Sequence, residues 1–263
     1  MPKEKKIYYY KDELNDDFAD NSKIETVKID KNFKYIHRNV FWNIGAFIVY
    51  RVIFYIPAFI YGKIKFGLKI KNRKVIKEYL KTSKKGYFVY QNHTQEILDT
   101  FLPSFIAMPT KAYIVANADN VSIKGLKTAN QMMGAFPVPE DLESTKNFLS
   151  AIQYVIDKKK EISIYPEAHV WPYYTGIRKF KDVSFKYPVK YDVPAFSATT
   201  VYKKCKNLRG FRAYVYIDGP FYRDKELSNK DAQTKLYNEV YETMVKRAKQ
   251  SDIEIITYKK DGE

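Results

Sequence analysis

The stretch Tyr87-Phe88-Val89-Tyr90-Gln91-Asn92-His93-Thr94-Gln95-Glu96-Ile97-Leu98-Asp99 decides the fold. Its first five residues form an apolar run with the length and composition of a strand buried on both faces. Residues 98–106 then read as a helix, so a buried strand feeds a helix through a short polar turn that holds His93. The alternation continues downstream. Strands are predicted over 113–116, 136–138 and 162–165, with helices over 123–133 and 142–158. Asp141 is placed to cap the second of these helices, and Phe148, Ile152, Val155 and Ile156 fall along one stripe of it. Longer strands rich in Val, Tyr, Phe and Thr are predicted over 193–202 and 211–217. Ser228-Asn229-Lys230-Asp231 reads as a capping box ahead of a further helix. Strands alternating with helices predict an α/β fold with a mostly parallel central sheet flanked by helices. In such sheets functional groups gather beyond the carboxyl ends of the strands. His93 and Glu167 both fall there.

Upstream of this domain lie a polar arm, residues 1–38, and an apolar segment, residues 39–70; the α/β domain is expected over 71–263. Residues 1–34 lack the apolar core of a secretory signal peptide. Residues 40–61 are apolar apart from Asn43 and Arg51, about long enough to cross a bilayer. Arg51 near the centre and Pro57 beyond it argue instead for one or two helices lying in or dipping into one leaflet. The chain carries 46 Lys and Arg against 30 Asp and Glu, a formal charge of +16, and 24 tyrosines. That surplus attracts anions, and amphipathic rings beside lysines suit a membrane interface with anionic lipid. Cys205 is the only cysteine, which excludes an intrachain disulfide and fits a reducing compartment. The expected location is the cytoplasmic face of a membrane, peripheral or monotopic.

A second acidic motif, Tyr165-Pro166-Glu167-Ala168-His169, closes another apolar strand. Together with Asn92-His93 and Asp99 it resembles the PlsC-like glycerolipid acyltransferase family, which carries an Asn-His…Asp motif and a Phe-Pro-Glu-Gly-Thr motif on two strand ends. The resemblance covers residues 87–199. In the family the carboxylate usually falls one residue nearer the histidine, at the position of Leu98; here an extra residue must be absorbed before the first helical turn. The resemblance implies acyl transfer from acyl-CoA or acyl-carrier protein to a lysophospholipid such as 1-acylglycerol 3-phosphate. His93 would be the general base and Asp99 its orienting partner, with Glu96 as the alternative orienter. Glu167 would contact the acceptor alcohol or organise the loop around His93. Asn92, Glu96, Gly134 and His169 would line the substrate. Gly134-Ala135-Phe136-Pro137-Val138-Pro139 aligns with the family's acceptor-phosphate segment, but Pro139 stands near the expected arginine. Arg178, Lys179 or Lys181 is then expected to supply that contact, Arg178 first for its planar fork. No metal or organic cofactor is implied.

Three other classes compete. A metal hydrolase would use His93, Glu96, Asp99 and His169, yet the three histidines of the chain show no metal-ligand spacing. A nucleic-acid-binding module explains the charge but neither strand-end motif, and no Walker loop, zinc finger or RNP-like motif is present, so no nucleic-acid partner is expected. A catalytically inactive, membrane-binding relative of the acyltransferases is the remaining rival.

Overall fold

The computed structural model describes residues 6–18, 28–122, 125–206 and 209–262. Its strands are β1 (Lys6–Tyr10), β2 (Lys69–Lys71), β3 (Tyr87–Gln91), β4 (Ala112–Ala116), β5 (Ala135–Pro137), β6 (Glu161–Ile164), β7 (Ala195–Lys204), β8 (Phe211–Phe221) and β9 (Ile256–Lys260). Seven of them form one sheet in the order β2-β8-β7-β3-β6-β4-β5. β7, β3, β6, β4 and β5 run parallel; β8 turns back antiparallel on β7, and β2 follows β8. The α/β expectation holds. β3 lies at the centre with all five residues buried, which is why it reads as a continuous apolar run rather than an alternation.

Helices cover both faces. One layer holds Glu96–Ala107, Lys74–Thr82 and the long apolar helix; the other holds Leu142–Asp157, Lys186–Tyr191 and Asn229–Ala248. Two predicted caps are formed: Asp141 accepts from the Ser144 amide at 2.8 Å, and Ser228 from the Asp231 amide at 3.2 Å. The helix predicted over 123–133 is shorter. A single turn, Ala118–Val121, precedes a helix from Lys127 to Met133, with Gly125 at φ +81 between them; residues 123 and 124 lie outside the described residues.

The apolar segment is one continuous helix, Val40–Phe66, about 40 Å long at 1.5 Å per residue. Its middle, Val49–Tyr55, winds as a π-helix. Ala46, Tyr50, Ala58, Gly62 and Phe66 face the domain, where Tyr55 and Phe59 meet Phe105 edge-on at 5.3 and 5.5 Å. Phe41, Ile44, Phe47, Ile48, Val52, Ile56, Ile60 and Ile64 form an exposed stripe on the other side, Phe41 at 83%. Arg51 belongs to the protein side. It donates to the Thr110 carbonyl at 2.5 Å and to that of Pro109, so its charge is turned to the domain rather than to the apolar stripe.

The described part of the arm contains a strand. β1 pairs in parallel with β9, from Lys6↔Ile256 to Tyr10↔Lys260, as a separate two-stranded sheet.

Candidate active site

His93 sits two residues beyond the end of β3, and the helix Glu96–Ala107 begins three residues later with Gln95 as its extended cap residue. The six-residue step from His93 to Asp99 is taken up by this turn and the first turn of the helix. Asp99 therefore still reaches back: its Oδ2 lies 2.9 Å from His93 Nδ1 and accepts from the Thr94 and Gln95 amides, both at 2.8 Å. Three donors meet on one oxygen of a carboxylate that has no solvent exposure. A carboxylate can only accept, so Nδ1 carries the proton and the neutral ring keeps its lone pair on Nε2. The ring retains 18% exposure, and Nε2 makes no hydrogen bond among the described residues. The geometry suits an imidazole that takes a proton from an incoming group while Asp99 fixes its tautomer.

Glu167 follows β6 and lies beneath this turn, 4% exposed. Its Oε2 accepts from the His93 amide at 3.0 Å and its Oε1 from the Arg178 amide at 2.9 Å; the Arg178 guanidinium is 3.6 Å away. Burial raises its carboxyl above the usual range, while Arg178 and the two amides pull in the opposite direction. Of the two roles expected for Glu167, the geometry fits the organising one. Tyr165 completes the group. Its hydroxyl donates to the Asp99 carbonyl at 2.6 Å, and its ring lies 4.5 Å from that of His93.

The other expected site residues divide. Asn92 is fully buried and spends its amide on β7, donating to the Thr200 carbonyl at 3.1 Å and accepting from the Thr200 amide at 2.8 Å; it joins two strands rather than lining a substrate. Arg178 is corrected more sharply. It is 1% exposed, and its guanidinium donates to the carbonyls of Glu13 and Glu167 at 3.2 and 3.3 Å and to that of His169. A fork spent on three carbonyls and a carboxylate is not presented to an acceptor phosphate. Gly134, at φ +101, ends the helix Lys127–Met133, and an added Cβ would lie 2.5 Å from the Ala112 carbonyl oxygen, so its role is backbone geometry. His169 turns its ring toward Asp17 at 3.3 Å, and Glu96 is exposed; the four-residue metal cluster does not assemble. Lys181 is exposed just ahead of the turn Asp182–Phe185.

Sequence reading missed the support under the turn. Thr94 Oγ1 and the Gln95 amide group both reach the buried Tyr202 hydroxyl at 2.9 Å. Tyr202 is one apolar residue of a β-rich run, and nothing local in the sequence distinguishes its hydroxyl.

The acyltransferase family model matches residues 68–200, just over half of the 263-residue chain. The fold is similar to the crystal structure of the 1-acyl-sn-glycerophosphate (LPA) acyltransferase PlsC from Thermotoga maritima, with a TM-score of 0.50 and 14% identity over 81% of this chain and 97% of that one. No curated protein matches the sequence. The solved structure supports the architecture; the family model supports the kinship read from the two motifs. Because the matched span covers more than half of the chain and includes both strand ends, those of His93 and Glu167, the chain belongs to the acyltransferase family.

Proposed function

We propose that this acyltransferase moves a fatty acyl group from acyl-CoA or acyl-carrier protein to a lysophospholipid, with 1-acyl-sn-glycerol 3-phosphate as acceptor and phosphatidic acid as product. The observation that carries the reading is the 2.9 Å pair of His93 Nδ1 and Asp99 Oδ2, with Nε2 unpaired. In this scheme Nε2 takes the acceptor hydroxyl proton as the oxygen attacks the thioester carbonyl. The tetrahedral intermediate expels the thiolate, which recovers the proton from the imidazolium. Transfer is direct, because no serine or cysteine occupies a nucleophile motif; Cys205 lies beyond β7, far along the chain from both motifs. With Arg178 buried, Lys179 and Lys181, both exposed, are the remaining candidates for the acceptor phosphate.

The membrane reading follows from the helix Val40–Phe66. One face is packed lengthwise on the domain, so an orientation across the bilayer would carry the charged domain into lipid. The exposed stripe instead suits a helix lying in the interface of an anionic membrane, with Lys63 and Lys65 in its last turn near the headgroups. We assign it to the cytoplasmic face. The decisive test is a lipid-product assay of purified protein with several lysolipids and both donor types, run beside His93→Ala. Loss of diacyl product in the variant is expected. Near wild-type product from His93→Ala would end the mechanism, and no product from the wild type with any pair would leave the inactive membrane-binding relative.

A further inference from the structure

We infer that strands β1 and β9 form a clasp that positions His93, acting through Trp171 and Arg178 on the loop that follows Glu167; this rests on His93 as the reacting group. The turn after β3 is held from this loop at three backbone points. Glu167 Oε2 accepts from the His93 amide, the Trp171 amide donates to the His93 carbonyl at 3.1 Å, and the Tyr173 amide donates to the Thr94 carbonyl at 2.9 Å. The loop is therefore the template for the turn. It belongs to neither sheet, so its own position must come from elsewhere.

The small sheet supplies that position. Trp171 is 1% exposed; its ring stacks on Tyr258 of β9 at 4.8 Å and 15°, and Tyr10 of β1 lies against it at 4.8 Å. Its indole N–H donates to the Asp16 carbonyl at 2.8 Å, and the Tyr258 hydroxyl donates to the Pro172 carbonyl at 2.8 Å. Arg178 joins the pieces. Its guanidinium lies 5.0 Å from the Trp171 ring centre and bonds the Glu13 carbonyl of the arm together with the carbonyls of Glu167 and His169. A buried ion pair is a costly way to stabilise a fold, and apolar residues of equal volume would cost less. What the guanidinium adds is fixed geometry, because one planar group ties the arm at Glu13 to the 167–169 loop, whose Glu167 carboxylate holds the His93 amide. Displacing a base by about 1 Å costs on the order of 100-fold in rate.

Full-length Arg178→Gln, Arg178→Lys and Tyr258→Phe test this with two readouts. The first, amide hydrogen exchange of the peptide containing residues 93–95, does not depend on activity. The second is the division of any kinetic loss between kcat and KM. In Arg178→Gln, exchange at 93–95 is expected to rise while β7 and the helix Val40–Phe66 stay protected. kcat is expected to fall about tenfold or more with both KM values unchanged, and Arg178→Lys to recover part of it. Tyr258→Phe, which removes one hydroxyl, is expected to shift both readouts in the same direction by less. Wild-type exchange and kcat in both Arg178→Gln and Tyr258→Phe would overturn the clasp. So would a rise confined to the acceptor KM, which would return Arg178 to the headgroup. If Arg178→Gln does not fold, Arg178→Lys and Tyr258→Phe decide by the same criteria. Altered exchange at 93–95 in a protein whose wild type transfers no acyl group would leave the clasp standing and remove the reaction.

Discussion

At the scale of single residues, the convergence of His93 Nδ1 and two amides on one Asp99 oxygen predicts an asymmetry between neighbouring acids. Asp99→Asn replaces a pure acceptor by an amide that can face the ring with either end, so kcat should fall roughly 10²–10⁴-fold. Glu96→Gln, in an exposed first-turn residue, should stay within about threefold. Equal losses in the two variants would divide the orienting role between them. Ala168 predicts a gain instead. It stands where the family motif has glycine and adopts φ +64, a left-handed conformation costing an alanine about 1–2 kcal/mol. Ala168→Gly should therefore stabilise the fold by roughly 0.5–1 kcal/mol after its greater chain entropy is subtracted, measurable by denaturant titration. The His93–Asp99 pair was legible because both residues lie on one turn. Arg178 was not. A basic loop residue reads as one open to an anion, and what covers it includes the Glu13 carbonyl, 165 residues away in sequence.

At the scale of elements, the alternation of strands and helices from β3 onward was legible because burial on both faces leaves apolar runs that sequence shows directly. β2 and β9 carry no such signal: three and five residues long, each contains two lysines and pairs only with a distant strand. The apolar helix was visible, but not the destination of Arg51, since the Pro109 and Thr110 carbonyls that receive it lie on another element. The helix now predicts a face-specific result. Replacing Ile44 and Ile48 on the exposed stripe by aspartate should abolish binding to anionic vesicles while far-UV dichroism is unchanged. High salt should release the wild type only in part, because screening acts on its lysines and not on its apolar contact. Sedimentation with vesicles at two salt concentrations reads both, and unaltered binding by the double variant would show that another surface meets the membrane.

At the scale of the whole molecule, Glu161 links the base of the sheet to pH. It is fully buried between Tyr87 and Ser163, which donate to its two oxygens at 2.9 and 2.7 Å. Burial pushes its carboxyl up from 4.5 to about 8, against the pull of both hydrogen bonds and of Arg73. Between those values the folded chain holds a proton that the unfolded chain has released. This group's stabilisation is therefore complete below about pH 4.5 and is lost as pH rises toward 8. Glu161→Gln should melt above the wild type at pH 8, and the gap should close by about pH 5; a gap independent of pH would mean that Glu161 is ionised in the fold. The pairing of β1 with β9 has a different consequence, one of timing. Lys6–Tyr10 leaves the ribosome ahead of the other described strands, and its partner Ile256–Lys260 is made only after every strand of the large sheet. Synthesis from the N-terminus can complete the turn of His93 and the loop of Glu167 well before the two short strands meet over them. Among the described strands the last pairing to become possible is thus the one that covers Trp171, so a polypeptide halted short of residue 256 would own its His93–Asp99 pair and lack the grip on it.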